Sequence, residues 1–475
     1  MRNILLFLLL PLFTLNAQQD SIVENIISQL TIVEKVAMCH AQSKFSSPGI
    51  PRLGIPELWM SDGPHGIRPE INWDDWGYAN WTNDYVTAFP ALSCLAATFN
   101  PDLSMQYGTS IGQQARYRKK DILLGPGVNI YRTPLNGRNF EYMGEDPYLA
   151  SVMVVPYIKG VQKSGVAACV KHYALNNQEL WRGHINVEVS DRALHEIYLP
   201  AFKAAVKQGN VWAIMGSYNK FRGQHCSHND LLLNKILKKN WGFDGVVISD
   251  WAGTHNTHEA IYNGLDIEMG TPSDQSHSKR YPYKSNFLGD AFLKKVIDGE
   301  VKQSILDDKV RRILRLMMRT SMNKNRPFGS INNKQHYETA YKVASEGVVL
   351  LKNRDNLLPI EKNKQITIAV IGENAEKSMS VGGGSSELKA DKEISPLLGI
   401  KKEFKNSVVK YAKGYSSNSN DNPDKLKKEA LSIAKHADIV LFIGGLNKNS
   451  FQDSEANDRK SFELPYDQPK LISEL

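Results

Sequence analysis

Cysteine is scarce in this chain, with four among 475 residues. Cys39, Cys94, Cys169 and Cys226 are widely spaced and form no C-x-x-C pair, which supports neither a zinc knuckle nor a dense disulfide framework. One bridge is left open, although Cys169 sits in an apolar run and reads better as a buried thiol. Long apolar runs are also missing. The longest lies at the N-terminus, is interrupted by Pro11 and falls short of the roughly 20 residues that a spanning helix needs, so stable membrane insertion is not expected. Nor is there a block of one charge. Lys and Arg outnumber Asp and Glu by 58 to 50, but they are interleaved with acids, as in Lys401-Lys402-Glu403, and a nucleic-acid partner is not indicated. With 41% hydrophobic and 23% charged residues, disordered, collagenous and multi-span classes are excluded.

The length is a prior for two to four domains. Residues 1–19 read as a secretory signal peptide: Arg2 supplies the positive start, residues 4–15 the apolar stretch, and Ala17 a small residue suited to cleavage. An exported protein, periplasmic or secreted, is expected. No cysteine follows in the position of a lipid anchor.

Residues 20–325 alternate short apolar runs with amphipathic segments, the pattern of repeated βα units around a mostly parallel sheet, so the fold class is α/β. One helix is predicted after Ser190 or Asp191, with Leu194, Ile197, Tyr198, Ala201, Phe202, Ala205 and Val206 on one face and Gly209 as its stop. A second carries Leu306, Val310, Ile313, Leu314 and Met317. A polar, proline-containing stretch then places a linker at 326–340. Residues 341–475 form a second α/β region: the apolar run Val348-Val349-Leu350-Leu351, strands near 366–371 and 439–443, and helices near 423–435 and 465–475.

Several apolar runs of the first region end in polar groups. Leu58-Trp59-Met60 leads to Ser61-Asp62-Gly63-Pro64 and on to Arg68; the run 166–170 leads to Lys171-His172; Ala213-Ile214-Met215 leads to Ser217-Tyr218-Asn219; Val246-Val247-Ile248 leads to Ser249-Asp250-Trp251. A lone Asp after a strand is ordinarily a helix N-cap, and a lone Lys or His is ordinarily solvated. Several such groups at corresponding strand ends instead suit a polyhydroxylated ligand, whose hydroxyls bond carboxylates and amides while an indole covers a sugar's C–H face. Glycoside hydrolysis needs two carboxyls. Asp250 is the natural nucleophile, and the acidic loop 453–459 of the second region can bring a partner. Trp73, Trp76, Tyr78, Trp81 and Tyr85 either stack on a leaving sugar or merely pin their long loop. His255 and His258 lack an acidic ligand set, so no metal is implied.

These residues carry a resemblance. The chain is similar to glycoside hydrolase family 3, in particular its β-glucosidase-like members, through Ser61-Asp62-Gly63-Pro64-His65-Gly66-Ile67-Arg68, Asn136-Gly137-Arg138-Asn139-Phe140-Glu141, Lys171-His172-Tyr173, Met215-Gly216-Ser217-Tyr218-Asn219 and Ile248-Ser249-Asp250-Trp251. It continues through Gly347 to Asn353, Gly382-Gly383-Gly384-Ser385-Ser386 and Asp453 to Arg459. The resemblance implies a (β/α)8-like barrel followed by an α/β sandwich, with the site at their junction and no cofactor. It implies Asp250 as nucleophile, Glu455 as acid/base, and Asp62, Arg68, Arg138, Lys171, His172, Met215, Tyr218 and Trp251 as the subsite for a terminal non-reducing β-D-glucosyl residue of a glucoside or oligosaccharide. Ala456-Asn457 departs from the glycine and aromatic residue often found beside the acid.

Cationic neighbours are expected to hold the carboxyl of Asp250 down and a less polar loop to hold that of Glu455 up. Two readings compete: a β-xylosidase of the same family, and a non-catalytic sugar-binding fragment. Family members normally continue well past the position of Leu475, so the resemblance implies a truncated second domain.

Overall fold

The structure is a computed structural model that describes residues 20–270, 285–449 and 451–475; the expected signal segment, residues 1–19, lies outside the described residues. Six short strands run side by side in the order Ser46–Ser47, Leu58–Asp62, Ile122–Leu124, Ala167–Tyr173, Ala213–Gly216 and Val246–Ile248. Two further segments close them into a ring. Ile248 bridges Ile267, Glu268 bridges His40, and the Gln42 N–H donates to the Ser46 carbonyl at 2.9 Å. Six strands and two bridging segments make the eight staves of a barrel.

Every strand pair of this sheet is parallel except Ser46–Ser47 against Leu58 and Trp59. The exception follows from the connection. Residues 48–57, containing Pro51, Gly54 and Pro56, are too few for the dozen or so residues of a parallel crossover. A short stave must therefore turn back on itself.

Helices cover the barrel's outside. The helix Gln303–Arg319 buries Leu306, Val310, Ile313, Leu314 and Met317, the stripe its sequence spacing required. The segment after Ser190 is helical as expected, and the Ser190 side chain accepts the Ala193 N–H as its cap. Its face, however, is shifted. A π turn spans Leu194–Tyr198, where the Leu199 N–H reaches back five residues to the Leu194 carbonyl, and Pro200, which has no N–H, begins the next helical stretch. The extra residue rotates the phase, so Ile197, expected inward, is 39% exposed and Leu199 is buried in its place.

The second sheet has three parallel strands, with Thr367–Ile371 between Val408–Ala412 and Ile439–Phe442. Ile368 and Val370 pack with Leu397 of the helix Pro396–Glu403, whereas Ile371 packs with Ala430 of Pro423–Ala434 and Leu471 of Gln468–Glu474. Period-two alternation thus feeds both faces of a three-layer arrangement. Between the regions, the second half of the span expected as a linker is helical. Lys334–Gly347 form one helix whose Val343 joins the barrel core. The apolar run that follows forms no strand, and Val348 to Leu351 are each at least 61% exposed.

The helices Pro101–Tyr117 and Pro147–Lys163 cross closely because each contributes glycine. A Cβ on Gly108 would stand 2.2 Å from the Tyr157 carbonyl oxygen, and one on Gly160 would stand 2.5 Å from that of Met105. Gly108→Ala should therefore cost about 1–3 kcal/mol, read as a lower denaturant midpoint. An unchanged midpoint would show that the crossing has slack.

Candidate active site

Parallel strands place their C-terminal ends on one side of a barrel. Asp62 ends one strand, Lys171 and His172 lie near the end of the next but one, and Tyr218 and Asp250 follow the last two. Asp62 accepts from Arg68 Nη1 at 3.0 Å, and Lys171 Nζ stands 4.0 Å away. His172 Nε2 lies 3.6 Å from Asp250 Oδ2, while its Nδ1 meets the Tyr142 hydroxyl at 3.0 Å. Asp250 Oδ1 accepts the Trp251 N–H at 2.8 Å, and the Trp251 indole N–H donates to the Lys44 carbonyl at 2.8 Å, fixing the ring against Phe45.

The second domain reaches into this cluster at two points. Ser385 accepts from Arg138 Nη2 at 3.0 Å, and Ser386 donates to Glu141 at 2.6 Å, with Arg138 and Glu141 paired beneath them. Glu455 accepts the Ser385 N–H at 2.7 Å and a hydrogen from Arg182 Nη1 at 2.9 Å, with Arg138 Nη1 at 3.8 Å. Its loop is tied to the barrel through Asp458, whose carboxylate accepts the N–H groups of Gly137, Glu179 and Leu180 at 2.9–3.1 Å. Ala456, the residue that departs from the family's glycine, has φ +68°, the left-handed region glycine favours.

A cavity of about 370 Å³ lies between the domains. Asp62, Arg68, Trp76, Arg182, Tyr218, Asp250, Trp251, Ser385 and Glu455 line it. Of the residues expected from sequence, Arg138, Lys171 and His172 sit directly behind this wall through the contacts above, whereas Met215 is buried in its strand and does not line the cavity. The aromatic loop divides its roles. Trp76 forms part of the wall beside Arg68, and Trp73 packs edge-on against Trp59 as an anchor. Another cavity, about 280 Å³ and lined by Tyr415, Asp421 and Tyr466 among others, shares none of these residues.

The charges run opposite to the expectation from sequence. Burial pushes the Asp250 carboxyl up to about 6, against the pull of Arg182 and Arg138 and with a further push from Glu455. Glu455 is also buried, yet Arg138, Arg182 and the Ser385 N–H together outweigh that burial and hold it well below the usual carboxylate range. The last shared proton therefore favours Asp250. The loop around Glu455 is not the less polar environment that was expected, because both guanidiniums point at it rather than at Asp250. His172 is kept neutral by burial and by the cations Arg138, Lys171 and Arg182.

Arg182, Glu179 and Ser385 were not singled out as site residues from sequence. Their signal was available only in part: Glu179 and Arg182 bracket Trp181 in a charged loop just after Lys171-His172, and Ser385 stands in the glycine-rich segment.

Two family models match the chain: the glycosyl hydrolase family 3 N terminal domain over residues 31–316 and the glycosyl hydrolase family 3 C-terminal domain over residues 348–475. A beta-glucosidase of Bacteroides ovatus is 58% identical over 95% of this chain and 63% of its own length. A thermostable beta-glucosidase B of Acetivibrio thermocellus is 36% identical over 95% of this chain and 57% of its own. Among solved structures, beta-glucosidase 3B of Thermotoga neapolitana in complex with glucose superposes with a TM-score of 0.81 at 32% identity, over 93% of this chain and 64% of that one. The chain thus spans less than two thirds of the length of these three relatives.

The two domains approach closely at Gly137, where a Cβ would stand 1.8 Å from the Asn457 carbonyl oxygen and 2.3 Å from that of Ser454. Gly137→Ala should lift the 453–459 loop, read as faster amide hydrogen exchange there with the barrel strands unaffected. Unchanged exchange would mean that the loop is held without this contact.

Proposed function

The chain belongs to glycosyl hydrolase family 3, and on that premise we propose that it is an exo-acting retaining β-glucosidase, which removes terminal non-reducing β-D-glucosyl residues by double displacement. The observation that carries the reading is that Asp250 from the barrel and Glu455 from the second domain line one cavity whose wall also holds carboxylate, guanidinium and indole groups. Such a wall suits one hexose ring: Asp62, with Arg68 and Lys171 at its carboxylate, meets hydroxyls, and Trp251 offers an apolar face. Tyr218 and His172 flank Asp250. We assign export to the same protein, on the pattern of residues 1–19.

In the first step an Asp250 carboxylate oxygen bonds the anomeric carbon, the bond from that carbon to the leaving oxygen breaks, and Glu455 gives its proton to that oxygen. In the second, Glu455 takes a proton from water, the water oxygen bonds the anomeric carbon, and the ester to Asp250 breaks. The pair therefore needs one proton, located on Glu455 at the moment of attack. Glu455 raises the Asp250 carboxyl, so proton loss from one is linked to the charge of the other.

Asp250→Asn should abolish hydrolysis of aryl β-glucosides, and near-normal turnover would remove Asp250 from the nucleophile role. Glu455→Ala should impair substrates with poor leaving groups by about 100-fold or more and those with good leaving groups far less. Equal losses on both would argue against an acid role.

The sign of the pH dependence follows from the shared proton. With two protons there is no nucleophile, and with none there is no acid. Loss of the last proton belongs to the group pushed up to about 6, so kcat/KM should be bell-shaped and fall above that pH. A rate that stays flat into mildly alkaline solution would contradict the shared-proton scheme.

A further inference from the structure

Glu179 stands out because it is 2% exposed, does not line the cavity and still touches Arg182, a donor to the proposed acid, and Ala456 beside that acid. One oxygen, Oε2, accepts the Ala456 N–H at 2.8 Å and a hydrogen from Arg182 Nη1 at 2.6 Å. The same Arg182 nitrogen donates to Glu455 Oε1 at 2.9 Å. A guanidinium Nη carries two hydrogens, so Glu179 and Glu455 each take one, and each weakens the other's hold. Glu179 Oε1, buried, accepts no hydrogen bond from the described residues.

The contact is reciprocal. Glu179 takes the N–H of a residue in the acid loop, while Asp458 of that loop takes the N–H of Glu179 itself at 2.9 Å. Two carboxylates on two domains thus clasp each other's backbones. Anchoring alone would need no charge, since a neutral amide oxygen accepts an N–H without the cost of burying an ion. What a carboxylate adds here is competition for Arg182.

We propose that Glu179 is the positioning residue of Glu455, holding its loop through Ala456 and drawing Arg182 away so that Glu455 can be protonated. The inference rests on the acid/base role proposed above. Charged groups reach Glu455 from every packed element: Arg138 and Glu141 from one barrel loop, Arg182 and Glu179 from another, and Asp62 and Asp250 from strand ends. Among them Glu179 is the acid that shares a donor nitrogen with Glu455. Consistent with two like charges in contact, burial and then Glu455 push the Glu179 carboxyl up, against Arg182 and Arg138.

Glu179→Gln keeps an acceptor for Ala456 and removes the charge, leaving Arg182 to Glu455. Protonation of Glu455 then becomes harder. kcat/KM should fall about tenfold on phenyl β-glucoside and little on dinitrophenyl β-glucoside. Equal losses on the two substrates would overturn the proposal. Glu179→Ala also removes the acceptor, so amide exchange over 453–459 should be faster than in the wild type and faster than in Glu179→Gln; unchanged exchange would overturn the clasp. Should the wild-type chain hydrolyse neither glucoside, the hydrolytic reading fails by itself, and the exchange measurement still decides whether Glu179 holds the loop.

Discussion

The structure's chemistry depends on one close approach between backbones. Asn457 and Ser454 lay their carbonyl oxygens where a Cβ of residue 137 would be, so only glycine lets the second domain's loop lie flat on the barrel. From that contact the rest follows. Asp458 comes within reach of three barrel N–H groups, Glu455 is carried to the Ser385 N–H, and the cavity gains its second carboxyl. The barrel alone supplies a pocket and Asp250; on the proposed mechanism, a nucleophile without an acid handles only glycosides with good leaving groups.

Burying so many ions is costly unless each is paired. Arg138 is 1% exposed yet lies against Glu141, Ser385 and, at longer range, Glu455; Asp62 has Arg68 and Lys171; Arg182 has Glu179 and Glu455 and stacks over Tyr218. Arg138 and Arg182 are each shared between two carboxylates. On the proposed function, a sugar's hydroxyls can enter such a network by replacing one partner at a time, whereas a set of closed ion pairs would have to be broken first.

Much of the barrel was legible because β-branched runs and polar strand ends are local signals. Val246-Val247-Ile248 is a strand and Asp250 follows it; Ser190 caps its helix; the 306–317 stripe is buried. The rest was set by geometry beyond any window of sequence. Two-residue Ser46–Ser47 carries no periodicity, and its direction comes from the length of its connection. The π turn before Pro200 shifts a face by one residue, which a regular 3.6 period cannot anticipate. Glu455 was reached only through family resemblance, since nothing local distinguishes it from Asp453 or Asp458. The protonation order is not legible for the same kind of reason: it depends on which carboxylate two guanidiniums point at, and Arg182 comes from a loop whose sequence shows only that it is charged.

Ala456 shows how firmly the acid loop is held. A side chain in the left-handed region costs roughly 1–2 kcal/mol, and the residue at φ +68° is an alanine. Against it stand four hydrogen bonds from backbone N–H groups to carboxylates, three on Asp458 and one on Glu179. Bonds to charged acceptors contribute about 1.5–3 kcal/mol each, so the clasp exceeds the strain even if half of that is lost to desolvation. The strained turn is therefore a consequence of where the carboxylates hold the loop. Strain that persists because its surroundings over-determine it is found where a side chain must be aimed, and here the residue aimed is Glu455.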